Sequence, residues 1–380
     1  MKVKKIFIIF LFNLIFFNTI ISASELEINT NDVNVSDIEI YAPSALLIEK
    51  ETGEILYSKD AYSVRYPAST VKIMTAILAI ENANLSDIVT VSPYAISSVP
   101  SGYTLSNIKA NENLTLENLL YALLVPSGND AANAIAEYIG GSIPDFANMM
   151  NQKALDIGCK NTNFTNPNGV HDENMHTTAY DLALIAKYAM NNETFRNMVS
   201  TPIYTLPSTN VYPESNRVLK NSNHLIDATS SDYYEYATGI KTGFTNAAQN
   251  CLVASAKKEN VEFITVVLGS SESNFGEHSK FNDSKILFEY GFSNYFDYYN
   301  NLYLRKIAQK NSFPAKIIDT FVDTNKITDE KNSSRWGYVI YLIAKVTLIL
   351  IAIIYFFYSL IFKIKRYIYK RTHAEFNFRD

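Results

Sequence analysis

The chain has 380 residues, room for one large domain or two ordinary ones, and its 47% hydrophobic content can bury a sizeable core. A net charge of -5, with no basic stripe mid-chain, leaves no footprint for nucleic acid, and no such partner is expected. The five histidines (His171, His176, His224, His278, His373) show no ligand spacing with acids or cysteines, so no metal and no other cofactor is expected.

In chain order, Lys2, Lys4 and Lys5 precede an apolar run over 6–21, and Ser22-Ala23 then supplies small residues suited to cleavage. That order predicts a secretory signal peptide over 1–23, with an uncleaved anchor helix as the alternative; either reading exports the bulk of the protein. Residues 24–41 are polar and acidic and read as a flexible leader. Two short apolar runs, 44–50 and 55–59, joined by Glu51-Thr52-Gly53-Glu54, predict a β-hairpin. Helical spacing follows over 70–81, 116–124 and 131–139, and Thr178-Ala179-Tyr180-Asp181 has the form of a capping box opening a helix over 182–190. Residues 251–256 and 263–268 read as a strand pair, and 283–290 as a closing helix.

Strands at both ends with helices between them predict an α+β domain over 42–296. Its antiparallel sheet is flanked by helices, brings the first and last strands together, and carries a helical subdomain. Residues 297–335 read as a linker. Segment 336–362 is long enough to cross a hydrocarbon core of about 30 Å. Trp336, Tyr338 and Tyr341 suit one interface, while Lys363, Lys365, Arg366, Lys370 and Arg371 place a basic tail, 363–380, in the cytoplasm. A helix lying on the membrane is the alternative. The expectation is a single-pass protein of the cell membrane with the 42–296 domain outside. Cys159 and Cys251 could pair in an exported protein, but Cys251 lies in an apolar run and reads as a buried free thiol.

Three short stretches carry the chemistry: Ser69-Thr70-Val71-Lys72, Ser127-Gly128-Asn129 and Lys241-Thr242-Gly243. Acyl transfer needs a nucleophile, a base, an acid for the leaving amine and donors for the oxyanion. Ser69 is the expected nucleophile, and Lys72, three residues on in a helix, shares its face. Lys72 acts as base only if it sheds its proton near neutral pH, which burial and a neighbouring cation, Lys241, would favour. Ser127 is the expected proton relay, and Asn129 holds Lys72 and the substrate amide. Lys241 and Thr242 bind a terminal carboxylate, and Gly243 leaves room for it. The N–H groups of Ser69 and Phe244 form the expected oxyanion hole.

S-x-x-K, S-x-N and K-T-G in this order resemble the signature of penicillin-binding proteins and class A β-lactamases. Residues 66–75, 119–132, 166–171 and 177–190 are further similar to the low-molecular-mass penicillin-binding proteins, the serine-type D-alanyl-D-alanine carboxypeptidases. The resemblance implies removal of the terminal D-alanine of peptidoglycan stem peptides, with water attacking the acyl-enzyme, and β-lactam antibiotics as inhibitors.

The chain also departs from that family. Relatives show an Ala-Gly pair after K-T-G where this chain has Ala248-Gln249, and some carry an arginine where it has Ser222. Many carry a further β-rich domain, for which residues 300–335 are too few. A class A β-lactamase needs a glutamate in E-x-x-L-N; Glu193-Thr194-Phe195-Arg196-Asn197 has that outline and is read as coincidence. A catalytically inactive, membrane-tethered wall-binding or penicillin-sensing protein is the rival of another class.

Overall fold

In a computed structural model, which describes residues 38–214, 216–271 and 278–310, the expected hairpin is formed by β1 (Ser44–Glu49) and β2 (Ile55–Lys59). A 3₁₀ turn (Ala68–Val71) runs into α1 (Lys72–Asn82). The helical part follows: β3 (Ile88–Thr90), α2 (Pro93–Ser97), β4 (Asn113–Thr115), α3 (Leu116–Leu124), α4 (Asn129–Gly140), α5 (Ile143–Ile157), α6 (Ala179–Ala189) and α7 (Glu193–Val199). The chain returns through β5 (Ile203–Leu206), β6 (Arg217–Lys220), β7 (Ala237–Thr245), β8 (Gln249–Lys258) and β9 (Val261–Ser270), and then α8 (Ser279–Lys310).

The main sheet has five antiparallel strands in the order β2-β1-β9-β8-β7. First and last strands do meet, with Leu46 opposite Val266. All six residues of β1 are buried because both faces of the sheet are covered. Leu46 and Ile48 face one core with Met74 of α1, Leu120 of α3 and Ile135 of α4. Ala45 and Leu47 face a second core with Phe281, Leu287 and Phe288 of α8.

Local chemistry sets the helix starts. Thr115 caps α3 by accepting from the Asn118 N–H, and Thr178 caps α6 by accepting from the Asp181 N–H. The Asp181 carboxylate does not close the capping box; it accepts from the Asn161 N–H and the Thr162 hydroxyl.

Two boundaries differ from expectation. The segment read as a leader is docked at its end: Ile40 is buried in the second core, and the N–H groups of Tyr41 and Ala42 donate to the Asp283 carboxylate. The closing helix is longer than 283–290, and α8 continues past residue 296 into the segment read as a linker. Among the described residues no helix is long and apolar enough to cross a membrane. The expected signal peptide, membrane segment 336–362 and tail 363–380 lie outside the described residues. Cys159 and Cys251 are both buried and unpaired, with burial pushing the Cys159 thiol up to about 12 and the Cys251 thiol up to about 11.

Candidate active site

Ser69 stands in the 3₁₀ turn at the entrance to α1, one residue after Ala68, whose φ of 48° is left-handed. The Thr70 hydroxyl and N–H both bond the Pro67 carbonyl, which pins the turn. In a 3₁₀ turn residues three apart are eclipsed, so Lys72 lies directly over Ser69. Lys72 Nζ reaches Ser69 Oγ at 2.9 Å.

Lys72 is completely buried and its amine has three neighbours. Besides Ser69 Oγ, Nζ donates to Asn129 Oδ1 at 2.8 Å and to the Asn168 carbonyl. The last two are pure acceptors and occupy two N–H bonds; the remaining position points at the serine. Asn129 is held in turn at the start of α4, its N–H and Nδ2 both donating to the Thr104 carbonyl. Burial, and then the positive charge of Lys241, push the Lys72 amine well below its usual range against an opposing effect of Asp130.

The Asn168 carbonyl is carried by a turn strapped to α1. Asn166 Oδ1 accepts from the Gly169 N–H, the Thr75 hydroxyl donates to the Pro167 carbonyl, and Asn168 Nδ2 donates to Asn133 Oδ1. Gly169 has a φ of 82°, and a Cβ there would stand 2.1 Å from the Ala68 carbonyl oxygen. Only glycine lets this turn press against the Ala68–Ser69 backbone.

Ser127 precedes α4 with a φ of 71°, a left-handed conformation uncommon for serine. Gly128 follows because a Cβ there would meet the Ser106 side chain at 2.6 Å. Ser106 is itself anchored by the buried Asp130 carboxylate, which accepts from its N–H and hydroxyl. Lys241, Thr242 and Gly243 lie on β7, the edge strand facing the 3₁₀ turn. Lys241 is buried, with Nζ 3.2 Å from the Thr242 carbonyl and 3.4 Å from Ser222 Oγ, and the Ser222 and Thr242 hydroxyls are 2.6 Å apart. Burial and the nearby Lys280 charge push the Lys241 amine down to about 7.

These pieces wall a cleft of about 580 Å³ that Ser69, Ser127, Asn129, Thr242, Gly243 and Phe244 line together. The expected site residues therefore converge, with Lys72 and Lys241 buried beneath them. The main-sheet edge, the 3₁₀ turn and the α3–α4 junction all belong to residues 42–271, and a family model for D-alanyl-D-alanine carboxypeptidase matches residues 30–272. The chain belongs to the D-alanyl-D-alanine carboxypeptidase family. It is 38% identical over 242 residues to the D-alanyl-D-alanine carboxypeptidase DacF of Bacillus subtilis, covering 62% of this chain and 59% of that protein. It is 34% identical over 269 residues to the D-alanyl-D-alanine carboxypeptidase of Streptomyces sp. K15, covering 67% of this chain and 88% of the relative. The crystal structure of the Streptomyces K15 DD-transpeptidase superposes with a TM-score of 0.62 at 32% identity, covering 67% of this chain and 98% of that one.

Three groups in and around this cleft have no signature in the sequence motifs. The Asn168 carbonyl is a backbone group and has no side-chain signature. Lys280 lines the cleft from α8 and donates to Asn250 Oδ1. His224 lines it from the turn after β6, and the fold brings it to Asp232 and His278, a gathering that spacing along the chain does not reveal. Glu193 is exposed at the first turn of α7 and does not line the cleft, so the outline of a β-lactamase glutamate there has no catalytic position.

Proposed function

We propose that the protein is a serine D-alanyl-D-alanine carboxypeptidase acting on peptidoglycan stem peptides, and that β-lactams acylate the same serine. The observation that carries the reading is the Lys72 amine, desolvated and held by Asn129 Oδ1 and the Asn168 carbonyl with its third position 2.9 Å from Ser69 Oγ. A neutral amine so held presents its lone pair to the serine hydroxyl.

In this mechanism Ser69 Oγ attacks the carbonyl carbon of the penultimate D-alanine and its proton passes to Lys72. The oxyanion is received by the N–H groups of Ser69 and Phe244. Lys241, Thr242 and Lys280 attract the terminal carboxylate, which also favours the charged form of Lys241. Collapse breaks the C–N bond, and Ser127 relays a proton to the leaving D-alanine amine. Water then attacks the ester, returning the proton to Ser69 and releasing the shortened peptide. Segment 336–362 anchors the catalytic part on the outer face of the cell membrane, a reading supported by the basic residues that follow it.

The test is release of D-alanine from a peptide ending in D-Ala-D-Ala, with Ser69→Ala as control. Release by the wild type alone supports the reading. Fluorescent penicillin labelling of Ser69 without release identifies a penicillin-sensing or wall-binding protein instead. Extraction of the full chain from membranes by alkaline carbonate would overturn the anchor.

A further inference from the structure

We infer that His224, Asp232 and His278 form a site for a divalent transition metal, zinc above all, on the rim of the active-site cleft. One ligand atom from each lies within 4.8 Å of the others. They arrive from three separate segments. His224 opens the 3₁₀ turn His224–Ile226, which follows β6; Asp232 lies in the turn before β7; His278 immediately precedes α8.

The two imidazoles converge on one carboxylate oxygen. His278 Nδ1 is 2.6 Å, and His224 Nδ1 3.4 Å, from Asp232 Oδ2. In a tetrahedral zinc site, with bonds of about 2.0–2.1 Å, ligand atoms stand roughly 3.3 Å apart. The His224–Asp232 pair already has that spacing. The His278–Asp232 pair is hydrogen-bonded, and His278 must back away by about 0.7 Å to admit the ion. Its side chain is 48% exposed and has room to do so.

The other two ligands are fixed. The His224 ring stacks on Phe281 with centroids 4.9 Å apart, and the Asp232 N–H donates to Ser230 Oγ. Asp232 is 8% exposed and its second oxygen, Oδ1, faces Lys285 Nζ at 3.9 Å, leaving Oδ2 for the ion. Two imidazoles and one carboxylate suit zinc and its neighbours rather than calcium or magnesium, which prefer all-oxygen shells. Three protein ligands leave a further position for water or an incoming group. Because His224 also lines the cleft, an ion bound here sits beside the substrate's path.

The experiment is calorimetric titration of the metal-free full-length protein with Zn²⁺, and separately with Co²⁺ followed by visible absorption. The expected result is one Zn²⁺ per chain at micromolar affinity or better, with a Co²⁺ spectrum of a four- or five-coordinate nitrogen–oxygen site. His278→Ala and Asp232→Asn should each weaken binding by roughly tenfold or more, while His176→Ala should not. Thermal melts of the metal-free variants separate lost ligands from lost folding. No stoichiometric uptake by the wild type, or unchanged affinity in both folded variants, overturns the site whether or not the protein releases D-alanine.

Discussion

A Cβ built on Gly243 would stand 2.9 Å from the Ser69 nitrogen. The glycine of K-T-G is thus required by the turn that carries Ser69, which packs against β7. Gly243→Ala should push the turn from the strand and spoil the oxyanion geometry. Acylation by fluorescent penicillin should slow by roughly a hundredfold, with a stability loss of about 1–3 kcal/mol from overpacking. Unchanged acylation would show that the turn yields at no cost to the site.

Asn168 is a positioning residue: its side chain bonds Asn133 Oδ1 and the Val170 N–H while its carbonyl holds Lys72. Asn168→Ala keeps the carbonyl but loosens the turn. kcat should fall by roughly tenfold or more with KM little changed, because in the proposed mechanism the contact is made to the base and not to substrate. A rise in KM alone would contradict that assignment.

The two buried lysines make stability depend on pH. Folding lowers the Lys241 amine to about 7 from an ordinary value of 10.5. Below about 7 both states are protonated and the folded state bears the whole cost of a buried charge. Between about 7 and 10.5 the unfolded state binds more protons, so stability rises with pH; above that range the cost is gone. Lys72, shifted in the same direction, adds to the slope. Urea midpoints should therefore rise between pH 7 and 9, and Lys241→Met should flatten that rise. An equal slope in the variant would remove Lys241 as its source.

Gln249 begins β8 with a left-handed φ of 57°, where a glycine would be unstrained. It is exposed to solvent through part of its side chain and does not line the cleft. Gln249→Gly should stabilise the domain by about 1 kcal/mol, the scale of the left-handed penalty, and leave D-alanine release intact. Chemical denaturation of the two proteins measures the difference directly.

What the sequence revealed depended on whether the determinant was local. Helix α3 has the expected bounds because Thr115 caps an apolar stripe, and β1, β8 and β9 each contain an apolar run, β8 and β9 extending past the expected 251–256 and 263–268 into polar residues. The pairs β3–β4 and β5–β6 escaped notice because they are three or four residues long and alternate poorly. The last turns of α8, rich in Tyr and Asn, have no clean apolar stripe, so their sequence carries no helix signal. At the site, side-chain motifs were legible. The Asn168 carbonyl, and the meeting of His224 with Asp232 and His278, depend on contacts between residues distant in sequence.

The pairing of Leu46 with Val266 has a consequence for how the molecule comes into being. A ribosome must deliver more than two hundred residues between those partners before β1 gains its second neighbour. Until then the emerging hairpin exposes an unsatisfied edge with an apolar centre, Ala45 to Ile48, the kind of surface that recruits other chains. The intervening helices, rich in near-neighbour contacts, can collapse early, whereas the sheet that presents K-T-G to Ser69 must close last. The site is therefore assembled late, and a chain cut short before β9 carries both Ser69 and K-T-G but lacks the strand that joins β8 to β1.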